Sequence, residues 1–192
     1  LTLRTGLQRF VTHINQDFLN FSQKSACFNK IVSWLALYHI PYRKKYTDKL
    51  FKLLNKKGML FIEDLTFGSG FESSHKEMLE KKLFANSLEK YSDYLDTCAN
   101  VGFEIVEHKD MSSDWESFTN ERLKLLQANR NKHEKIHGVE GYITIEEFYK
   151  TAAECFAENV IGGIRLICKK NSVLTSSTEW RQTMDVKSYA KK

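Results

Sequence analysis

The sequence contains no apolar run that approaches the roughly 20 residues a helix needs to cross a membrane. It also has little excess charge, because 29 basic and 24 acidic residues leave a net charge of only +5. These charges are spread along the chain, which is typical of a solvated surface, so we expect neither a membrane nor a nucleic acid as a partner. The 192 residues, 42% of them hydrophobic, are enough for one globular domain with a buried core.

Cysteine is also scarce, and no two of the four cysteines are close in sequence. Each lies in an apolar stretch, which favours buried, reduced thiols over a disulfide framework or a zinc site: Cys27, Cys98, Cys155 and Cys168. Reduced thiols indicate a reducing compartment, and we expect the protein to be cytoplasmic. The chain begins at Leu1 rather than at a methionine and shows no targeting segment, so we expect a processed or partial amino terminus.

Residues 28–67 have the pattern of a strand, a helix and a second strand. An apolar run over residues 31–37 precedes an amphipathic stretch over residues 42–57, and a second apolar run occupies residues 59–62. Unbroken apolar strands joined by a helical crossover indicate a parallel sheet that is covered on both faces.

The polar residues at the carboxyl ends of these strands are the first candidates for a functional site, because ligands bind open α/β sheets there. Ser33, Trp34 and His39 follow the first strand, and Glu63 and Asp64 follow the second. Paired carboxylates can bind a cationic amine, but a solvated strand end explains Glu63 and Asp64 equally well. His39, close to a proline, is by itself typical of a polar loop, and Trp34 fits a core position equally well.

Strands and helices alternate along much of the chain, which predicts a doubly wound α/β fold. Residues 10–14 are predicted to form an early strand, and residues 103–108 and 164–168 two later ones. A helix between the early and late strands is predicted to be capped by Ser87 and ended by Gly102.

Capping boxes that begin at Ser113 and at Thr144 predict two late helices, which would form a cap over the strand ends. The last stretch, residues 171–192, is rich in Ser, Thr and Lys, and we interpret it as a polar tail. Residues 1–170 are then expected to form the folded domain.

Two short motifs have a functional interpretation that their context does not support. His133 and His137 belong to an H-E-x-x-H sequence, which binds zinc when it lies on a packed helix. Charged residues surround the motif and Gly138 breaks the helix at once, so we expect a chance occurrence and predict no metal site. The F-G-S-G sequence at residues 67–70 lacks the third glycine and the later acid of a nucleotide-binding loop, so we interpret it as an ordinary loop.

The ordered series of elements resembles the later half of a class I S-adenosylmethionine-dependent methyltransferase. The resemblance covers residues 9–170 and rests on V-T-H-I-N-Q-D-F at 11–18, on the strand–helix–strand unit with its K-K-G, and on residues 88–115. The last of these is most similar to small-amine N-methyltransferases of the phosphoethanolamine and sarcosine/dimethylglycine type. The resemblance implies a Rossmann-like, doubly wound, mostly parallel sheet with a helical cap, lacking the family's first strand and Gly-rich loop.

The resemblance also implies that the cofactor is S-adenosylmethionine, that the acceptor is a small amine, and that five residues have roles in the site. His39, in L-A-L-Y-H-I, occupies the place of a catalytic histidine that lies beside the methyl donor in the phosphobase enzymes. Asp17 matches the acid beside the cofactor's adenine, and Phe18 would flank that ring. Ser33 and Trp34 lie in the strand-end segment that faces the donor.

Two departures from the family lead to two hypotheses. No Gly-rich loop and no ribose-binding acid precede Val11, so a partner chain or a further amino-terminal half would have to supply them. Leu35 stands where phosphobase enzymes carry an acid, which argues against the phosphobase itself as substrate. The first hypothesis is a partial small-amine methyltransferase, favoured by Asp17, Trp34 and His39. The alternative is a non-catalytic, methyltransferase-like subunit that binds a partner, favoured by the missing loop.

Overall fold

The computed structural model describes residues 4–23 and 25–171, and this part of the chain forms four strands and five helices. The strands are β1 (Phe28–Trp34), β2 (Leu54–Phe67), β3 (Phe103–Asp110) and β4 (Ile161–Lys170). The helices are α1 (Arg43–Leu53), α2 (Lys76–Lys82), α3 (Tyr91–Val101), α4 (Ser112–Ala128) and α5 (Arg130–Ala157). The α/β class expected from the sequence is confirmed.

The four strands form one mixed sheet in the order β1-β2-β4-β3. β1 and β2 are parallel and are joined through α1, which confirms the predicted strand–helix–strand unit of residues 28–67. β4 lies between β2 and β3 and is antiparallel to both. Parallel pairing is therefore limited to β1 and β2. The reason is that α5 ends beside the carboxyl end of β2, where Ile161 pairs with Phe67, so β4 must run back through the sheet.

One face of the sheet is covered by α1 and α3, which enclose the larger core. Alternate residues of β2 and β4 point into it, among them Leu60, Ile62 and Leu166, all of them fully buried. The two helices contribute Tyr46 and Leu50 from α1, four residues apart, and Tyr94, Leu95 and Cys98 from α3, where Cys98 lies four and three residues after the other two. Each fully buried aliphatic or aromatic side chain contributes about 1.5–3 kcal/mol, so this face holds the sheet and the two helices together.

The helix-ending role of Gly102 is confirmed. Its φ of 109° is left-handed, a conformation that glycine adopts without steric cost, and its N–H donates to the carbonyl oxygen of Ala99 at 2.9 Å. β3 begins at the next residue, Phe103, which is buried in the larger core.

The helical cap expected from the sequence is present at the carboxyl end of β2. Residues from α2, β2 and α5 form a second buried cluster there, including Leu79, Leu65 and Phe156, while α4 and α5 pack against one another. α5 is interrupted at Gly138, whose φ of 76° and ψ of 167° are not helical, as expected from the glycine after the H-E-x-x-H sequence. None of the helices in the described part of the chain is long and apolar enough to span a bilayer.

The other face of the sheet is open along β1 and the middle of β2. Val32 and Trp34 of β1 are 49% and 68% exposed, although both lie in a strand. Phe61 of β2 pairs with Val32 of β1 on one side and with Ile167 of β4 on the other. Phe61 and Ile167 are only half-buried. These four residues form an apolar stripe, which we call the open face.

Several local predictions are wrong. Residues 10–14 form no strand; the N–H groups of Phe10 and Val11 bond to the carbonyl oxygen of Leu7 in a turn. α4 begins at Ser112 without a side-chain cap, one residue before the predicted capping serine. Thr144 lies inside α5, where its hydroxyl donates to the carbonyl oxygen of Glu140 at 3.0 Å. A hydroxyl that bonds backward along a helix is not available to cap one.

Two other expectations need correction. Ser87 does not cap α3, which begins four residues later without a side-chain cap; its hydroxyl donates to the carbonyl oxygen of Leu37 at 3.2 Å. The cysteines are free, but Cys27 is exposed instead of buried because it precedes β1 at the edge of the sheet, whereas the other three are buried. The predicted polar tail lies, from residue 172, outside the described residues.

Candidate active site

The segment after β1 turns sharply at the carboxyl end of the sheet. Leu35 has a φ of 48°, a left-handed conformation that is unusual for leucine, and its N–H donates to the carbonyl oxygen of Glu63 at 2.8 Å. This bond ties the end of β1 to β2. A short 3-10 turn over Leu37–His39 follows and carries the chain towards α1. The turn therefore places His39 at the strand ends, as the sequence predicted.

The buried side chain of Asp64 fixes the backbone of this turn. Its carboxylate accepts a hydrogen bond from the N–H of Tyr38 at 3.2 Å and another from the hydroxyl of Tyr94 at 2.9 Å. Burial raises the pKa of Asp64 to about 6, although Arg43 and the two hydrogen bonds act to lower it. Glu63, its neighbour, points to the opposite face and pairs with Arg165, Nε to Oε1 at 2.6 Å. The two carboxylates therefore form no joint amine site.

Arg43 is the buried cation beside Asp64. Its guanidinium lies 4.0 Å from the ring centre of Tyr94, and it donates through Nη2 to the carbonyl oxygen of Ser87. Its Nε lies 3.2 Å from Glu89 Oε2 but is not aligned for a hydrogen bond, so this contact is an ion pair only. Nearby negative and aromatic groups keep the pKa of Arg43 raised despite burial. Arg43, Asp64 and Tyr94 form a polar core that fixes the turn; we call it the Arg43–Asp64–Tyr94 network.

The sequence interpretation missed this network, although one signal for Asp64 was available. Asp64 has the same parity along β2 as Leu60 and Ile62, and a strand residue in step with buried residues is expected to be buried. Arg43 and Tyr94 carry no comparable local signal, because their partners lie on distant parts of the chain.

His39 is fixed in one orientation. Its Nδ1 lies 2.9 Å from the carbonyl oxygen of Phe84, and a carbonyl only accepts, so Nδ1 carries the proton in this bond. In the neutral ring the lone pair is then on Nε2. The backbone is fixed as well, because the Asn86 side chain donates to the carbonyl oxygen of His39 at 2.9 Å. The ring also packs on Tyr38, with centroids 3.8 Å apart.

A cavity of about 500 Å³ opens beside this turn, between the end of β2 and the helices α4 and α5. Leu35 and Tyr38 line it on the side of the turn, and Trp115 and Phe118 line it on the side of the cap. Such a volume lies in the range of small-molecule sites in proteins. The cavity and the turn that carries His39 therefore lie next to one another at the strand ends, with Leu35 and Tyr38 of that segment in the cavity wall.

Trp34 lies beside the same strand end, on the open face. Its ring is exposed and touches Phe61 edge-on, with centroids 6.4 Å apart. Ser33 is in register with Ile62 and so points to the covered face of the sheet. Of the two strand-end residues, Trp34 is therefore the one whose side chain is open to a ligand.

The structure does not bring Asp17 and Phe18 to this site. Phe18 packs against the start of β1 and the end of α1, with Lys49 Nζ 5.4 Å from its ring centre. The Asp17 carboxylate accepts from the N–H of Leu19 at 2.9 Å and from the side chain of Asn20, as a local cap. The seven residues of β1, about 20 Å in length, separate this region from the carboxyl ends of the strands.

The described residues contain no group of three or more His, Cys, Asp or Glu side chains that could hold a metal ion. His133 and His137 stack at 6.0 Å between centroids along α5, and Glu134 between them pairs with Arg130 at 2.7 Å. The glutamate of the H-E-x-x-H sequence is thus engaged with a cation on its own helix.

The fold is that of the S-adenosylmethionine-dependent methyltransferases, whose solved structures this chain matches at low sequence identity. Phosphoethanolamine N-methyltransferase 2 of Haemonchus contortus, solved with phosphomonomethylethanolamine and S-adenosylhomocysteine, is 16% identical with a TM-score of 0.71. A putative sarcosine dimethylglycine methyltransferase of Galdieria sulphuraria is 13% identical with a TM-score of 0.77. A cyclopropane synthase of Mycobacterium tuberculosis is 14% identical with a TM-score of 0.70.

These three matches cover 81%, 90% and 88% of this chain but only 36%, 63% and 65% of the matched chains, in the same order. The chain therefore spans less than two thirds of the length of each of these proteins. No protein-family model matches the sequence, and a comparison with curated proteins finds no match. At these identities the likeness establishes the fold, and the activity remains to be argued from the site.

Proposed function

We propose that this chain is the acceptor-binding part of an S-adenosylmethionine-dependent methyltransferase that acts on a small amine. The observation that carries this proposal is the orientation of His39. Its Nδ1 donates to the Phe84 carbonyl oxygen, which leaves Nε2 as the basic atom, and the segment that carries His39 lines an apolar cavity through Leu35 and Tyr38. A histidine held in this way can act as the general base for transfer to nitrogen.

A nitrogen acceptor reacts only as the neutral amine, so a base must remove or hold its proton. His39 Nε2 accepts that proton, and the resulting positive charge is shared with the Phe84 carbonyl oxygen through Nδ1–H. The Arg43–Asp64–Tyr94 network fixes the turn that carries His39, so the base is already oriented when the amine binds. The apolar walls of the cavity keep water away from the reacting atoms.

The residues present fit one end of the cofactor. S-adenosylmethionine supplies an activated methyl group on a sulfonium, and the exposed ring of Trp34 is a suitable surface for that cation. His39 lies at the end of the same strand segment. The described residues contain no Gly-rich loop followed by an acidic strand end, which would hold the adenosine.

The open face indicates where the adenosine-binding part belongs. A parallel sheet is normally covered on both faces, yet Val32, Trp34 and Phe61 are left partly or largely exposed beside parallel β1. β1 is also an edge strand, whose free edge can pair with a further strand. We therefore place a strand and a helix from another segment or from a partner chain on this edge and face.

The same observation supports the alternative, a non-catalytic subunit that uses the open face only to bind a partner. Turnover separates the two functions, because only an enzyme needs His39 Nε2.

The test is methyl transfer by the complete enzyme, with both halves in one chain or in two, to glycine, sarcosine, dimethylglycine and phosphoethanolamine. His39→Ala should lower turnover about 10²-fold or more and leave donor binding nearly unchanged. His137→Ala, an exposed histidine on α5, is the matched control and should have no effect. Full turnover in His39→Ala would show that His39 is only a loop residue and takes no part in the reaction. Methylation of no acceptor by any complete version would favour the non-catalytic subunit.

A further inference from the structure

The walls of the cavity beside the turn that carries His39 are mostly apolar. Leu65, Leu83, Phe156 and Ile161 form its buried floor, and each is less than 8% exposed. Trp115 and Phe118 of α4 form the opposite wall. A cavity with such walls stabilises an apolar ligand by removing apolar surface from water, whereas a fully polar ligand gains little there.

The wall contributed by α4 is fixed to the sheet. The Trp115 ring packs against Gly163 of β4, where a Cβ atom would come within 2.8 Å of its Cζ3 atom. The N–H of Gly163 donates to the hydroxyl of Ser112 at 3.1 Å, and its carbonyl oxygen accepts from Met111 N–H at 2.9 Å. These contacts hold the first turn of α4 against β4, so the cavity is formed before a ligand binds.

The charged groups of the cavity are already paired. Glu63 is bound by Arg165 at 2.6 Å, and Asp114 is bound by Lys109 at 2.7 Å. Asp114 lies at the exposed rim, while Glu63 lies close to the turn that carries His39. The charged groups therefore lie at the rim and beside the reacting end, and the deep part of the cavity offers no charge for a polar ligand.

The size of the cavity leads to the same conclusion. A volume of about 500 Å³ corresponds to roughly 17 water molecules at about 30 Å³ each. An amino acid such as sarcosine is only a few water molecules in size and would leave most of the apolar wall against water. An acceptor with a hydrocarbon body would fill the cavity and displace that water.

We propose that the amine acceptor carries an apolar body, an alkyl chain or a ring system, which is buried between the end of β2, α4 and α5. This inference rests on the proposed methyl transfer, because it names the acceptor of that reaction. The amine head lies towards Leu35 and Tyr38, next to His39, and the body extends towards Trp115 and Phe118. The cavity thus selects amphiphilic amines over small, fully polar ones.

The binding test uses butylamine, octylamine and dodecylamine, kept below their micelle concentrations, with calorimetry on the purified protein and without a methyl donor. Affinity should rise about threefold to fourfold for each methylene that enters the cavity, so octylamine, with four more methylenes, should bind about 80-fold to 250-fold more tightly than butylamine. An affinity that does not depend on chain length overturns the inference.

Two variants on one helix test the location. Phe118 lines the cavity and is 57% exposed, so Phe118→Ala should lower octylamine affinity about fivefold to tenfold with little effect on folding. Leu125 is 48% exposed, lies two turns further along α4 and is outside the cavity, so Leu125→Ala should change nothing. Equal effects of the two variants overturn the inference.

Activity separates this inference from the proposed function. Faster methylation of octylamine than of sarcosine by the complete enzyme supports both. Methylation of sarcosine that is as fast as that of octylamine supports the methyltransferase and overturns the apolar acceptor. Chain-length-dependent binding without any methylation supports the cavity as a site for apolar amines and overturns methyl transfer.

Discussion

Removal of one hydroxyl from the Arg43–Asp64–Tyr94 network should destabilise the protein by an amount that depends on pH. Tyr94→Phe deletes the donor that lies 2.9 Å from Asp64 Oδ2, and both side chains are buried, Tyr94 at 2% and Asp64 at 0% exposure. The carboxylate therefore loses a hydrogen bond that favours its ionised form.

The sign of the pH dependence follows from the pKa of Asp64, which burial raises from 3.8 to about 6 in the folded protein. The contribution of Asp64 to stability is then complete below about pH 4 and is lost as the pH rises through about 6. Tyr94→Phe raises this pKa further and enlarges that loss. A hydrogen bond to a charged group is worth about 1.5–3 kcal/mol and one to a neutral group about 0.5–1.5 kcal/mol. We expect a cost of about 2 kcal/mol near pH 7.5 and about 1 kcal/mol near pH 5.

The measurement is urea unfolding of the original protein and the variant at both pH values. Tyr142→Phe is the matched control, because Tyr142 is also buried and its hydroxyl donates to the Glu146 carboxylate at 3.0 Å. Hydrogen bonds from Gln127 and Lys150 lower the pKa of Glu146, so it stays ionised at both pH values and the cost of Tyr142→Phe should not change. An equal loss of unfolding free energy in Tyr94→Phe at the two pH values would refute the argument that Asp64 is buried and ionises between them.

Two further predictions follow from the open face and from the cysteines. The 192-residue chain alone should bind S-adenosylmethionine weakly or not at all in calorimetry, because its described residues offer only the exposed Trp34 ring as a surface for the sulfonium. Micromolar binding would mean that the cofactor site lies elsewhere on the chain. In the folded protein a thiol reagent should label Cys27 quickly, whereas Cys98, Cys155 and Cys168 should react only after unfolding. The reason is that only Cys27 is exposed, and that burial raises the pKa of Cys155 to about 11. Fast labelling of a second cysteine would contradict the buried core described above.

Much of the fold could be predicted because its elements carry local patterns. The apolar runs on either side of the amphipathic stretch at residues 42–57 determine β1, α1 and β2, since a single helical crossover is the usual connection between two neighbouring parallel strands. Gly102 determines the end of α3, because only glycine enters the left-handed region there without strain. The position of His39 at a strand end follows from the same local pattern.

Other features were decided by packing between distant residues. Ser113 and Thr144 look like helix caps, but α4 is fixed by Ser112 on Gly163, and α5 continues past Thr144. The early segment at residues 10–14 alternates like a strand, yet no neighbouring strand pairs with it in the described chain. A capping or strand pattern indicates a local conformational preference of about 1 kcal/mol, and tertiary contacts readily override a preference of this size.

The sequence by itself determined the α/β alternation, the parallel unit and the position of His39 at a strand end, because each depends on residues that are near one another in the chain. Only the tertiary structure decided that β4 lies antiparallel between β2 and β3, that Asp64 meets Tyr94 and Arg43, and that the Phe84 carbonyl oxygen orients His39. Hydrogen bonds of this kind join residues tens of positions apart. Their partners are selected by burial, since a polar group removed from water must find a partner wherever the fold provides one.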